Sequence, residues 1–428
     1  MAWATLRAQG VTTAAIGGFV RDDRGREVPL AEVEVVNAAT GFVTRVRTRD
    51  DGRYTASGLD VGGPYTVSAR RIGFERDARA DVYVSIGQTV RVDLLLAPTA
   101  VTMQSVTTNA QASGQSHSSY AVGTLISDSM VHRLPVADRD LYGLVKLVPQ
   151  MSTVYGLSAA GASPRLNAVM IDGASEQGLY GGNAAAAIWG GKAISIEAVK
   201  EYQVLISPFD VRYGNFAGAL INAVTRSGSN EPHGSAFYYG RYGALPRNVP
   251  FIRDAYYERA QGGVTLSGPL ARDRAHAFVA AEFQSLRFPT VGPYVGQAAD
   301  AAPALQVHPD TLARFISILS QLGVAPGSAG ATTARNPLAN IFARVDVALP
   351  RIASRLVVRE NYSRADSTAF SRPSPPPTAN CRSIVCFPLS SLARRQLVWK
   401  DGTVMQLLTT LTGGTYNELI VGRLTTVG

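Results

Sequence analysis

The sequence predicts a mainly β protein in three parts: an N-terminal β-sandwich, a glycine- and alanine-rich α/β segment, and antiparallel strands patterned like a barrel wall. Three observations carry this prediction. Only 17% of the 428 residues are charged while 46% are hydrophobic, against about 25% charged in ordinary soluble domains. No run of 18 apolar residues occurs, so no transmembrane helix is encoded, and sparse charge without apolar blocks suits many short strands, those of an outer-membrane barrel included. Finally, two different strand rhythms occupy the two ends of the chain: short runs split by turn signals at the start, and alternating segments of about ten residues after position 230.

Residues 15–97 are read as the sandwich. Alternating runs ("AEVEVV", "FVTRVRT", "PYTVSARRI", "QTVRVDLLL") are separated by Asp23-Arg24-Gly25, Asp51-Gly52 and Gly62-Gly63-Pro64, each expected to be a turn. About seven strands in a segment of this length is the sandwich pattern. Ahead of it, residues 1–14 ("MAWATLRAQGVTTA") read as the tail of a secretory signal with a mature start near Gln9, the basic and apolar regions of a complete signal lying outside this sequence.

Residues 98–120 are polar and rich in Ser, Thr, Gln and Gly, the composition of a linker. Within it "VTMQSVTTNA" can also pair as an extended strand with a partner's sheet edge. In residues 121–229, "DRDLYGLVKLV" predicts a helix from Asp138 to Val148, N-capped near Asp138. "RLNAVMIDGAS" predicts a strand ending in an Asp-Gly turn, and "SIEAVKEYQVLIS" a short helix entering a strand. The stretch "YGNFAGALINAVTRSGSN" threads small residues through an apolar strand and closes in a Ser-Gly-Ser-Asn turn.

Residues 230–428 alternate with period two. Ile341, Ala343, Val345, Val347 and Leu349 face one way and Asn340, Arg344 and Asp346 the other; Ala277, Val279, Ala281 and Phe283 oppose His276, Glu282 and Gln284; Leu356 and Val358 oppose Arg355, Arg359 and Asn361. A wall with lipid outside and polar groups inside needs this pattern, although a soluble sheet with one wet face gives the same alternation. Tyr238, Tyr239, Tyr256, Tyr257, Trp399 and Tyr416 suit interfacial girdles. About eight strand-like segments follow Gly234, with an amphipathic helix near Pro309–Leu322 in a long insert of the kind that extracellular loops tolerate. Eight strands are too few for a plugged barrel of about 22, so an incomplete barrel is expected, the front part of a longer chain. Cys381 and Cys386 lie close together in a proline-rich, loop-like stretch, where a small disulfide in an oxidising compartment is the better reading than two unrelated thiols.

Charge and motifs exclude several classes. The net charge is +9, but the arginines are scattered singly and no stacking or helix-turn-helix motif accompanies them, which argues against a nucleic-acid partner. The excess lies after position 230, where basic residues would line a lumen or face anionic lipid. The five histidines head no HxxE or HExxH pattern, and no Cys/His set for zinc exists. Gly190-Gly191-Lys192 fails as a phosphate loop because Ala186 and Ala193 stand where Gly and Ser/Thr are needed. "GLSAA", "GASPR" and "GASEQ" fail as nucleophile elbows at their last residue. No catalytic set, metal or cofactor is expected.

Longer phrases carry resemblance to known families. "GGFVRDDRGREVPLAEVEVVNAATG" with "TRDDGRYTASGLDVGGPYTVSARRIGF" resembles the carboxypeptidase regulatory-like domain, a transthyretin-like, carbohydrate-binding-like β-sandwich without peptidase machinery. "LPVADRDLYGLVKLVP", "NAVMIDGA" and "ISIEAVKEYQVLISPFDVRYGNFAGALINAVTRSGSN", in that order, resemble the plug domain of TonB-dependent outer-membrane transporters of the Oar-like branch. The resemblance implies a plug domain over 121–229 inside transmembrane β-barrel strands, with the N-terminal domain in the periplasm. It also implies as partners periplasmic TonB with its inner-membrane energising complex, outer-membrane lipid and lipopolysaccharide, and a transported ligand. A TonB contact is expected over Val101, Met103, Ser105, Val106, Thr107 and Asn109. Ligand contacts are expected from the plug loops at Tyr155, Tyr180, Asn183, Trp189 and Lys192, residues that could equally pack the plug against the wall. A surface adhesin without transport, or a non-functional remnant, is the alternative reading.

Overall fold

In the computed structural model the described residues are 11–99, 122–133, 139, 141–145, 147–152, 158–163, 166–176, 192–206, 213, 217–242, 258–290, 292–297, 305, 307–370, 387–411 and 415–427.

The N-terminal unit has eight strands rather than seven: β1 (Ala14–Asp22), β2 (Glu32–Asn37), β3 (Val43–Arg47), β4 (Arg53–Leu59), β5 (Gly62–Arg70), β6 (Asp77–Val84), β7 (Thr89–Arg91) and β8 (Leu94–Leu96). One sheet runs β4-β1-β7 with β8 also on β1; the other runs β3-β2-β5-β6. Their inner faces alternate along each strand, and Ile16, Val33, Val35, Tyr54, Ala56 and Val67 close a common core. Tyr54 keeps its hydroxyl satisfied by donating to the Val92 carbonyl at 2.6 Å. Gly25 and Gly52 turn with φ of 78° and 70°, as the sequence predicts. Gly62-Gly63-Pro64 differs from expectation. It lies inside β5, where pairing with β6 jumps from Gly62–Val84 to Tyr65–Val82. The residues that favour a turn here serve an irregularity in the ladder instead.

The second unit is a five-stranded sheet ordered β13-β12-β15-β14-β9. Its strands are β9 (Val122–Ile126), β12 (Ala168–Ile171), β13 (Ala174–Ser175), β14 (Val199–Ile206) and β15 (Ala219–Thr225); the two-residue strands β10 (Met151–Ser152) and β11 (Ser158–Ala159) form a separate ribbon. Helices α1 (Asp128–Arg133) and α2 (Leu141–Val145) accompany it. The described part of the helix expected from Asp138 to Val148 is therefore shorter, and Asp138 lies outside the described residues. A 3-10 turn, Ile196–Ala198, leads into β14 as expected. Asp172 and Gly173, with φ of 45° and 73°, form the predicted turn after β12. Strand β15 is buried along its whole length, so its small residues sit at the centre of this sheet between β12 and β14.

The third unit is an eight-stranded antiparallel sheet ordered β16-β17-β18-β20-β21-β22-β23, with the short β19 also on β18. The strands are β16 (His233–Arg241), β17 (Glu258–Ala271), β18 (Ala275–Pro289), β19 (Thr333–Arg335), β20 (Leu338–Leu349), β21 (Ser354–Ala369), β22 (Arg394–Thr410) and β23 (Tyr416–Val427). Strands of 12 to 17 residues exceed the 9–11 or so that a tilted transmembrane strand needs. The turns at one end, 272–274 and 350–353, are short; the connections at the other, 242–257, 290–337 and 370–393, are long. Helix α3 (Pro309–Gln321) lies in one of the long connections, capped by His308 and packed through Leu312 against Phe387 and Leu389 of another. Among the described residues β16 and β23 are the edges and the barrel is not closed.

Alternation in the wall has the predicted sense. His276, Glu282, Asn340, Arg344, Asp346, Arg359 and Asn361 are buried on the inner face, while Val279, Phe283, Ile341 and Val358 are exposed on the outer. The tyrosine girdle needs one correction. Tyr238 is exposed on the outer face, but Tyr239 pairs with inward-facing Gln261 and lies 4.3 Å from the Arg139 guanidinium. Consecutive strand residues point to opposite faces, so both cannot meet lipid. Tyr256 and Tyr257 lie outside the described residues.

Candidate functional site

The site is the interface between the five-stranded sheet and the polar inner face of the wall. Wall strands β18, β20, β21 and β22 deliver polar groups inward among apolar ones, and the five-stranded sheet meets these with the turn after β12, Glu176 beyond β13 and the segment leading into β14. At the first, Asp172 accepts from the Thr225 N–H at 2.9 Å and the Thr225 hydroxyl at 2.8 Å. Its charge partners are Arg359 of β21, 3.1 Å away, and Arg344 of β20 at 4.0 Å. Arg359 also donates to the Ile171 carbonyl at 2.7 Å and lies 3.3 Å from Glu176, which pairs with Lys400 of β22 at 2.6 Å. Arg344 of β20 is held by Asp346 at 2.7 Å and donates to the Thr225 carbonyl at 3.0 Å. Arg359, Glu176, Asp172 and Asp346 are all at least 96% buried at the side chain. Ions so far from water are costly unless paired and hydrogen-bonded, so losing one partner leaves an uncompensated buried charge.

The second contact centres on Glu282 of β18. Its carboxylate pairs with Lys192 and accepts from the Ser195 hydroxyl at 2.5 Å and the Gln261 amide at 2.7 Å. Lys192 also donates to the Arg139 carbonyl at 2.9 Å. Beside it, Asn340 accepts from the Ser195 N–H at 2.9 Å and Asn361 donates to the Ala193 carbonyl at 2.7 Å. Phe278 and Phe342 continue the apolar core of the five-stranded sheet unit into the wall. The interface is thus bonded by charges and hydrogen bonds without a covalent link among the residues described.

The N-terminal sandwich closes the short-turn end of the wall. Asp60 pairs with Arg355 and lies 3.8 Å from Arg344. Asn230 donates its backbone N–H to the Ala39 carbonyl at 2.8 Å, and the Phe42 ring meets His276 edge-on at 5.1 Å. A cavity of about 440 Å³ remains where sandwich, plug and β16 meet, lined by Asn37, Asp60, Lys200, Arg226 and Arg344 among others. Among the described residues no group of three or more His, Cys, Asp or Glu is placed to hold a metal ion.

Of the five plug residues singled out from sequence, Lys192 is buried at the Glu282 contact; Tyr155, Tyr180, Asn183 and Trp189 lie outside the described residues. So do Val101, Met103, Ser105, Val106, Thr107 and Asn109, and Cys381 and Cys386. Sequence reasoning did not single out Asp172 or Glu176 at this interface. The Asp-Gly turn marked the place, yet nothing local announces that its carboxylate meets an arginine 187 positions further on.

Comparison with known proteins gives the class first. Residues 15–97 match the carboxypeptidase regulatory-like domain and residues 224–375 the outer membrane beta barrel domain. The protein is mainly β, carries an outer-membrane β-barrel domain and belongs in the outer membrane. Among individual proteins it is similar to the "TonB-dependent transporter Oar" of Myxococcus xanthus, 28% identical over 287 residues, covering 62% of this chain and 26% of that protein. The chain therefore spans about a quarter of the length of that relative. Solved structures similar to this chain include the outer membrane transporter YddB from Escherichia coli, at 13% identity and a TM-score of 0.47 over 70% of this chain and 38% of that one. The siderophore receptor PirA from Acinetobacter baumannii is similar at 16% identity and a TM-score of 0.46, over 71% and 40%.

Proposed function

We propose that this protein is a TonB-dependent outer-membrane receptor and transporter that takes up a ligand across the outer membrane, energised through periplasmic TonB. One observation carries the reading: a five-stranded sheet, hydrogen-bonded separately from the wall, is seated against the inner face of a lipid-facing wall by buried ion pairs. A plug held this way blocks passage at rest and can be shifted by force without breaking a covalent bond. The homologous Oar protein, a TonB-dependent transporter by name, supports the same role.

The mechanism follows from connectivity. The linker over 98–120 joins the sandwich to β9, which among the described residues lies at an edge of the plug sheet and pairs with β14 alone. A partner that adds a strand to residues 101–109 gains main-chain hydrogen bonds without disturbing the fold, and a pull on it is applied first to β9. Ligand bound at the outer face of the plug makes this linker available; the inner-membrane complex supplies the energy. The ligand contacts in this reading are Tyr155, Tyr180, Asn183, Trp189 and Lys192, offering stacking, hydrogen bonds and charge. The role is non-enzymatic, and lipid and lipopolysaccharide surround the wall. Deleting residues 101–110 and measuring ligand uptake by whole cells tests the proposal: uptake should be lost while the protein still reaches the outer membrane, and unchanged uptake overturns it.

A further inference from the structure

The sandwich does more than cover the short-turn end. Residues 11–13 precede β1 and belong to no strand, yet Val11, Thr12 and Thr13 are each only 6% exposed. They are buried because they run between the plug and the wall. The Val11 carbonyl accepts from the side-chain amide of Asn222, at the centre of β15, at 2.6 Å. The Thr12 hydroxyl donates to Glu418 of β23 at 2.7 Å and accepts from Gln406 of β22 at 2.8 Å. The Thr13 carbonyl accepts from the Gly87 N–H at 3.0 Å, which ties this segment to the loop between β6 and β7. That loop docks in turn on β14: Ile86 is 1% exposed, and its N–H donates to the buried Glu201 carboxylate at 3.0 Å.

From this geometry we propose that the sandwich is a lock on the plug. Segment 11–13 and loop 85–88 together brace β14 and β15, so these two strands cannot rearrange until the sandwich is released. Asn222 and Glu201 are buried polar groups on plug strands, the first donating a hydrogen bond to the sandwich and the second accepting one from it, and withdrawing the sandwich leaves those bonds unmade. Strand β12 is held differently, through Asp172 and Glu176 to Arg359 and Lys400 of the wall. Edge strand β9 has β14 as its pairing partner and no bond to either sandwich segment in the contacts described above. The lock therefore divides the plug: β9 can be drawn away while β14 and β15 remain braced, and full opening requires the sandwich to leave.

Hydrogen–deuterium exchange on the intact protein in detergent micelles tests this. Ile86→Glu puts an acidic side chain at a buried position beside the Glu201 contact and changes only the sandwich side of it. Exchange over 199–206 and 219–225 should rise at least tenfold, with 354–369 of the wall unchanged. Thr12→Ala, a milder change at the wall contact, should give the same pattern at about threefold and serves if the first variant does not fold. Release of 11–13 and 85–88 without faster exchange in β14 and β15 overturns the lock. An equal rise in β21 of the wall also overturns it, since the effect would then be general loosening. Neither ligand nor TonB enters this measurement, so its failure would leave the uptake reading standing, and failure of the uptake test would leave the lock standing.

Discussion

Lys192→Met isolates the charge contact between plug and wall. In the native protein Glu282 is completely buried in the β18 wall, with Lys192 as its ion-pair partner. The variant keeps the length of the side chain but leaves the carboxylate with two neutral donors, Ser195 at 2.5 Å and Gln261 at 2.7 Å. Removing one member of a buried pair costs about 3 to 5 kcal/mol, and the surviving donors set the lower end, about 3 kcal/mol. Since about 1.4 kcal/mol is tenfold in an equilibrium, the local opening constant of the segment 192–198 should rise roughly a hundredfold, read by hydrogen exchange. The double variant Lys192→Met/Glu282→Leu should recover most of the loss, because replacing a whole buried pair by apolar residues is close to neutral. A single variant within threefold of wild type, or a double variant as loose as the single, would refute the reasoning.

Other predictions follow from the wall and the sandwich contact. Phe283 is exposed on the outer face of β18, so Phe283→Arg should cost about 2 to 4 kcal/mol if that face meets lipid; heat-induced unfolding followed by gel mobility reads it, and a variant as heat-resistant as wild type would contradict a lipid-facing wall. Burial raises the pKa of Glu201, against the lowering effects of the Ile86 N–H, the Ser85 hydroxyl and the nearby Lys200 charge. A carboxyl whose pKa is raised by folding contributes stability that is fully present below its ordinary value of 4.5 and is lost as pH rises through the raised value. The melting temperature of wild type relative to Glu201→Gln should therefore increase as pH falls from 7 toward 5, and a flat difference would remove Glu201 from the account.

The parts legible in the sequence are those where a local rule suffices. The alternation in "NIFARVDVAL" specified which side chains of β20 face inward, because a strand has a strict period of two. Asp172-Gly173 marked its own turn, since both residues tolerate positive φ. The misreadings arose where one chemistry serves two structures. Gly62-Gly63-Pro64 punctuates a ladder as well as a turn, and Tyr238-Tyr239 looks like a pair although strand geometry sends its members to opposite faces. The site was the least legible part. Arg359, Asp172, Glu176 and Lys400 are brought together from β21, the β12 turn and β22, and alternation identifies an inward charge without naming its partner. The lock was equally hidden, because residues 11–13 carry no unusual composition and become significant only through what buries them.

The central claim is that TonB engages this protein through the segment between sandwich and plug. Titrating the purified periplasmic domain of TonB onto the intact protein in detergent, with residues 101–110 present or deleted, tests it without knowledge of the ligand. The account predicts saturable binding that the deletion abolishes. Absence of binding to the intact protein, or binding that survives the deletion undiminished, would contradict it.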